Sequence, residues 1–238
     1  FYKKLSMELL EIFFKYLSSF SKKLSKDFDV IILNLLRRVF MNKRGQEVRY
    51  INPDDLLHLR NYFKNNKKIV ILSLINIGVN VGLRISDLSR LKFENINPDH
   101  TIKLKEKKTK KIRKVKFNLI CQRAIEDLKK YYKELGYSSE KGFLFKSLNR
   151  KYVKELYDKP ISNVGISKYL NKAKKDLNIS YPIGTHSLRK TWGHRVYKGT
   201  LDIAIVMSIL NHSSAEQTLK YIGIEEDKIN EIYESFKI

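Results

Sequence analysis

The chain has 238 residues, 42% of them hydrophobic, which is enough apolar material for one large domain or a domain with a small appendage and too much for global disorder. Lys and Arg total 48 against 25 Asp and Glu, a formal net charge of +23 that argues against an ordinary metabolic enzyme and for a polyanionic partner, nucleic acid first and an anionic membrane surface second. The single Cys121 excludes an internal disulfide and a cysteine-built zinc site, and suits a reducing, cytoplasmic setting.

Residues 1–42 read as one or two helices, because Leu9, Leu10, Phe13, Phe14, Leu17 and Phe20 recur at helical spacing with lysines between them. No secretory signal is visible there, and the chain begins with Phe1 rather than Met, so residues upstream are expected. Met41 to Tyr50 turns polar and basic, as a linker does. Asn52-Pro53-Asp54-Asp55 then supplies an N-cap, a proline at the first helical position and first-turn acids, opening a helix through Phe63.

A second helix is expected from about Lys68 to Asn80. The most apolar stretch, Ile69 to Leu83, contains Asn76, Gly78, Asn80 and Gly82 and is shorter than the ~20 residues of a bilayer span, which sets the membrane reading aside. Gly82 precedes another start, Arg84 to Leu91. Over residues 101–118 the period changes: Ile102 and Leu104, then Ile112, Val115 and Phe117, flank a lysine-rich tip, the pattern of a β-hairpin. Helices follow over Gln122 to Leu135, ended by Gly136, and over Ser162 to Leu177. Pro182 and Gly184 break the chain before a helix from His186 to Lys198, which Gly199 is expected to stop. Leu201 to Leu210 is a short apolar helix, and Ser213 with Glu216 forms a capping-box pattern opening the helix that carries Tyr221. The expected fold is mainly α with a small antiparallel β-sheet.

Attack on a DNA phosphodiester by a side chain requires a nucleophile, cationic donors for the charge developing on the nonbridging oxygens, and an acid for the leaving oxygen. Arginine suits the second task because its planar fork grips two phosphate oxygens at once. Four patches carry such groups. Gly82-Leu83-Arg84-Ile85-Ser86-Asp87-Leu88 sets Arg84 just after a glycine. Lys107-Lys108-Thr109-Lys110 forms the hairpin tip. His186-Ser187-Leu188-Arg189 places a histidine and an arginine on one helix face. Asn211-His212 is followed nine residues later by Tyr221. Each residue alone has an ordinary alternative: a solvated arginine, a solvated charge run, a capping histidine, a packing tyrosine. His58, His100 and His194 lack such a pattern and read as structural.

Together and in this order, the patches resemble the signature of the tyrosine recombinases, the phage-integrase type of DNA strand-exchange enzyme. The likeness covers roughly residues 50–223. Asn211 stands where the family usually has glycine, a change that asparagine's tolerance of left-handed angles permits. Asp87 stands where glutamate is more common, keeping the carboxylate on a shorter arm. The resemblance implies that Tyr221 attacks the scissile phosphate to form a 3′-phosphotyrosyl link, and that Arg84 and Arg189 hold the phosphate oxygens. It further implies that Lys108 is the acid for the 5′ leaving oxygen, that His186 assists proton transfer at the tyrosine, and that His212 donates to the phosphate. Lys108 is selected among its neighbours because it precedes a threonine and lies 24 residues after Arg84. Lys105, Lys107, Lys110, Lys111 and Arg113 are expected on the DNA backbone. No metal and no cofactor is implied.

By the same resemblance, residues 1–45 are the end of a helical core-binding domain plus linker, and residues 46–238 are the catalytic domain with a C-terminal docking helix. From Glu225 to Ile238 the tail holds five acids and two lysines, with Ile229, Ile232, Tyr233 and Phe236 as an apolar stripe. Such tails dock on a neighbouring protomer in the family, so a homotetramer on two DNA duplexes is expected, together with accessory DNA-bending proteins. The rival readings are a type IB topoisomerase with the same chemistry and a catalytically silent basic DNA-binding protein.

Overall fold

A computed structural model describes residues 47–224 and Ser235. The chain divides into two units, Phe1–Gln46 and Glu47–Ile238, and the second is described here. The helices expected over residues 1–42 and the apolar stripe of the acidic tail lie outside the described residues.

Nine helices and one hairpin make up the described part: α1 Pro53–Asn65, α2 Ile69–Val81, α3 Ile85–Leu88, a 3₁₀ turn Phe93–Asn95, β1 Thr101–Lys105, β2 Ile112–Lys116, α4 Leu119–Glu134, α5 Arg150–Lys154, α6 Asn163–Asp176, α7 Thr185–Thr200, α8 Ile203–Leu210 and α9 Ala215–Ile222. The two antiparallel strands pair Ile102 with Val115, both buried, and Leu104 with Arg113. Ile112 shares the apolar pattern of the hairpin but is 78% exposed.

Local chemistry accounts for most helix starts. Asn52 accepts the Asp55 N–H at 2.7 Å, with Pro53 in the first turn, and opens α1. Asn118, Ser162 and Asp202 cap α4, α6 and α8 in the same way. α2 is buried on nearly every side, through Val70, Ile71, Leu74, Ile75, Ile77, Val79 and Val81, and packs against α1, α4 and α7. A helix apolar all round belongs at the centre of a core, and α2 is that centre. A smaller cluster of Tyr197, Val206, Leu210, Ile222 and Ile224 binds α8 and α9 to α7. There the Gly193 Cα approaches Ile222 so closely that an added Cβ would stand 2.8 Å from its Cγ2.

Several boundaries differ from the sequence reading, among them the start of α4, at Leu119 rather than Gln122. Gly199 does not stop α7; the helix runs through it to Thr200, and Leu201 takes the left-handed cap with φ 55°. The Asp202 cap of α8, which accepts from Ala204 and Ile205, sets the break there. Ser214 rather than Ser213 caps α9, by accepting the Gln217 N–H at 3.0 Å. The helix expected over Arg84 to Leu91 is a single turn, α3, with Arg84 as its extended N-cap. The short α5, opened by Asn149, had no apolar period to announce it.

The central place of α2 sets a stability contrast. Leu74, fully buried, should cost about 2–5 kcal/mol on Leu74→Ala through lost transfer energy and a cavity. Leu57, 54% exposed on α1, should cost about 0.5 kcal/mol or less on the same change. Denaturant unfolding of the two variants checks this, and similar losses would contradict a core centred on α2.

Candidate active site

Three turns bring the site together. α2 ends on Gly82, whose φ of 59° is left-handed. A Cβ there would also stand 2.6 Å from the Trp192 ring, so glycine is required twice over. Arg84, two residues on, turns its guanidinium to Glu106 at 2.7 Å. Arg189, on the buried face of α7 and 3% exposed, donates to the carbonyls of Gly82 at 2.8 Å and Leu210 at 2.7 Å. One planar group thereby ties the turn before Arg84 to the turn before His212. Carbonyls leave its charge uncancelled. Burial and then the Arg84 charge pull its pKa down to about 10, so it remains a cation at neutral pH.

Glu106 joins the remaining pieces. Its side chain has no exposure, and its Oε2 accepts from Arg84, from Thr109 Oγ1 at 2.6 Å and from Asn211 Nδ2 at 3.3 Å. Its Oε1 is buried without a hydrogen bond and faces Arg113 at 3.6 Å. Burial acts to raise the Glu106 pKa, but the Thr109 hydroxyl and the arginines outweigh it and hold the carboxyl below its usual range. Beside it, Asp87 accepts the Lys107 N–H at 2.9 Å and fixes the hairpin tip on α3.

The hairpin lysines take a form that strand alternation does not describe. The strands end at Lys105 and resume at Ile112, and Lys107, Lys108 and Thr109 form a turn. Lys105, Lys107, Lys108, Lys110 and Lys111 are exposed, and Lys111 donates to Asn211 Oδ1 at 3.1 Å. Arg113, expected with them on the DNA face, turns inward. It donates to the carbonyls of Val81 at 2.8 Å and Gly82 at 3.3 Å, and is a brace of the Gly82 turn.

Asn211 takes φ 54°, the left-handed geometry usually given to glycine, and its amide adds the contacts to Glu106 and Lys111 that a glycine could not make. His212 follows, with its ring edge-on to Tyr221 at 5.0 Å and 87°. The Tyr221 hydroxyl is buried and makes no close hydrogen bond, with the Arg189 guanidinium near enough to act on it. Burial raises its pKa, while the charges of Arg189 and Arg84 act to lower it. His186, at the start of α7, is disfavoured as a cation by desolvation and then by Arg189, Lys190, Arg84 and Lys108. Arg84, Arg189, His186, His212 and Tyr221 thus share electrostatic neighbours, and Lys108 acts on His186.

Three further contacts were invisible as motifs. Lys190, next to Arg189 and nearly buried, stands 4.8 Å over the Tyr221 ring and pairs with Glu47. Tyr50 stacks on His194 at 3.7 Å. His194 Nδ1 lies 3.0 Å from the Ile222 carbonyl, next to Tyr221, so the structural reading of this histidine acquires a specific place. For Glu106 the sequence did hold a signal: it is the sole acid between Thr101 and Phe117, among nine cations. Among the described residues no group of three or more His, Cys, Asp or Glu is arranged to hold a metal ion.

The histidine environment has a measurable consequence. Burial first, and Arg189 and Arg84 with it, hold His212 below the ordinary histidine value, and His186 is held down likewise. Both imidazoles should be neutral at pH 7 without DNA. Their folded-state pKa values are depressed, so their contribution to stability is complete above about pH 6.5 and is lost as pH falls. NMR titration should place both midpoints below about 6.5, and Arg84→Gln should raise both. A midpoint at or above the ordinary value in the wild type would contradict this electrostatic picture.

Comparison with known proteins agrees with this fold. The model of the phage integrase family matches residues 49–227. The chain is 36% identical over 185 residues to the "Probable integrase/recombinase YoeC" of Bacillus subtilis (strain 168), covering 77% of this chain and 93% of that protein. It is 26% identical over 188 residues to the "Probable integrase/recombinase" of Acholeplasma phage L2, covering 77% of this chain and 60% of that protein. Against the tyrosine recombinase XerC of Leptospira interrogans serovar Lai (strain 56601), the identity is 24% over 163 residues, and the chain spans about half the length of that relative. In fold it is similar to XerA recombinase, with a TM-score of 0.61 at 18% identity over 94% of this chain and 82% of the other. It is also similar to a lambda integrase fragment solved as a dimer bound to a core site, with a TM-score of 0.59 at 17% identity over 78% of this chain and 62% of the other.

Proposed function

The chain belongs to the phage integrase family of tyrosine recombinases, and from that premise we propose that it cleaves and rejoins DNA strands at specific sites through a 3′-phosphotyrosyl link on Tyr221. The observation that carries this reading is that Arg189 and Arg84 act on the buried Tyr221 hydroxyl, the His212 ring lies edge-on to Tyr221, and His186 shares the same two arginines.

The Tyr221 oxygen attacks the scissile phosphorus, the bond to the 5′ oxygen breaks, and the tyrosine is left as a phosphodiester at the 3′ end. Arg84 has one nitrogen on Glu106 and Arg189 has two on carbonyls, so each guanidinium keeps further N–H groups for the nonbridging oxygens. His186 accepts or relays the tyrosine proton, and Lys108 supplies the proton that leaves with the 5′ hydroxyl. Attack by another strand's 5′ hydroxyl reverses the step and exchanges partners without loss of bond energy. No metal or cofactor takes part in this scheme. Lys105, Lys107, Lys110 and Lys111 lie on the exposed hairpin that faces the DNA backbone in this reading. Residues 1–45 belong to a core-binding domain, the tail from Glu225 docks on a neighbour, and a homotetramer with accessory DNA-bending proteins works on two DNA sites in the cytoplasm.

A nicked suicide substrate carrying the cognate site should trap a denaturation-resistant adduct that peptide mapping assigns to Tyr221. Tyr221→Phe should abolish the adduct while leaving the protein folded. An adduct on another tyrosine, or one that persists in Tyr221→Phe, would sink the assignment.

A 5′-bridging sulfur tests the acid, since a thiolate leaves without protonation. Lys108→Ala should be slow on the oxygen substrate, by roughly 10²-fold or more, and restored on the sulfur substrate. A Lys108→Ala enzyme equally slow on both substrates would transfer the role to Lys110 or another hairpin lysine.

A further inference from the structure

The hydroxyl of Thr218 has one proton and two close polar neighbours. It lies 2.7 Å from the Ser214 carbonyl, one turn back along α9, and 3.2 Å from His212 Nδ1. The carbonyl can only accept, and a 2.7 Å contact between two oxygens needs a proton between them. The Thr218 proton is therefore committed to Ser214, the ordinary back-bond of a helical threonine. What remains at Thr218 Oγ1 facing the imidazole is a lone pair, so Nδ1 must carry the proton in that contact. Thr218 is fully buried within α9, which gives it little room to turn elsewhere.

We infer that Thr218 is a positioning residue that holds His212 in its Nδ1–H tautomer, so that Nε2 of the neutral ring is a bare acceptor and His212 can donate to the scissile phosphate only as an imidazolium. The inference rests on the strand-exchange reading above and revises the part His212 plays in it. A neutral His212 would present a lone pair to an anion. Binding of the scissile phosphate at this ring is thereby coupled to uptake of one proton at Nε2. The groups that face His212 set how readily this happens: Arg189 from α7 and Arg84 from the start of α3 oppose it, and the Tyr221 ring of α9 lies edge-on. The neighbouring Asn211 carries the Glu106 carboxylate and the Lys111 ammonium on its side-chain amide. An arriving phosphodiester adds the negative charge that offsets the two arginines. Cleavage then declines toward alkaline pH as the imidazolium is lost, even while the Tyr221 phenol becomes easier to ionise.

The test has two readouts on the full chain. Long-range nitrogen–proton NMR of the DNA-free protein at about pH 8 should show neutral His212 as the Nδ1–H tautomer in the wild type and in Thr218→Ser, which keeps the hydroxyl. Thr218→Val, which keeps the shape and loses the acceptor, should shift His212 toward the Nε2–H form. Single-turnover cleavage of the suicide substrate should fall with rising pH in the wild type and in Thr218→Ser. In Thr218→Val that alkaline limb should move upward by about one pH unit or more, since a neutral Nε2–H can donate to the phosphate. An Nε2–H tautomer in the wild type would overturn the inference, and so would an unchanged limb in a Thr218→Val protein whose tautomer has switched. If Thr218→Val fails to fold, the wild-type and Thr218→Ser tautomers decide the matter. Failure to form any covalent adduct, with the Nδ1–H tautomer present, would count against the strand-exchange reading alone.

Discussion

Glu106 is the buried carboxylate around which three guanidiniums gather in one small volume, with Asp87 beside it. Arg84 and Arg113 pair with Glu106 directly, and Arg189 is close enough for its charge to stabilise the same carboxylate. Without it, Arg84, Arg113 and Arg189 would repel one another in a poorly solvated pocket, and uncompensated buried charge costs on the order of 3–5 kcal/mol. The same oxygen receives Thr109 beside Lys108 and Asn211 beside His212. A single buried anion therefore joins the α3 start, the hairpin turn and the α8–α9 turn. Because its pKa is held below the usual value, this stabilisation is present above about pH 4.3 and is lost as pH falls through the folded-state pKa.

The rest of the fold serves that junction. α2 gives the domain its core and ends on the left-handed Gly82, whose carbonyl receives both Arg189 and Arg113. α7 packs on α2 and carries His186 and Arg189 at its beginning and Trp192 against Gly82. Tyr221 packs against the smaller apolar cluster formed by α7, α8 and α9. Small clusters open at lower cost than a main core. Tyr221 is held by ring contacts with His212 and Lys190, and its buried hydroxyl feels the Arg189 guanidinium.

Much of this was legible before the structure. The cap at Asn52, the apolar run of α2 and the hairpin follow from residue type and spacing, because each depends on neighbours within a few turns of chain. What was hidden depends on long-range pairing. Arg113 has the same composition signal as the hairpin lysines, yet its partners are carbonyls 31 and 32 residues earlier. Glu106 was visible as a lone acid among cations, but nothing local could show that Arg84 and Asn211 both return to it. Gly199 reads as a helix stop from its own chemistry, and the Asp202 cap moved the break past it. The choice of Ser214 over Ser213 turned on which of two adjacent hydroxyls meets a backbone N–H, which spacing alone could not decide.

The central claim is that the protein alone already holds the phosphate-binding frame, with Arg189 fixed on two carbonyls and Arg84 on Glu106. A structure of the chain with DNA containing its cleavage site tests this most directly. The account predicts the scissile phosphate within hydrogen-bond reach of Arg84 and Arg189, with the Arg189 bonds to Gly82 and Leu210 and the Arg84 bond to Glu106 still in place. A phosphate seated away from these arginines, or reached only after Arg189 abandons both carbonyls, would contradict it.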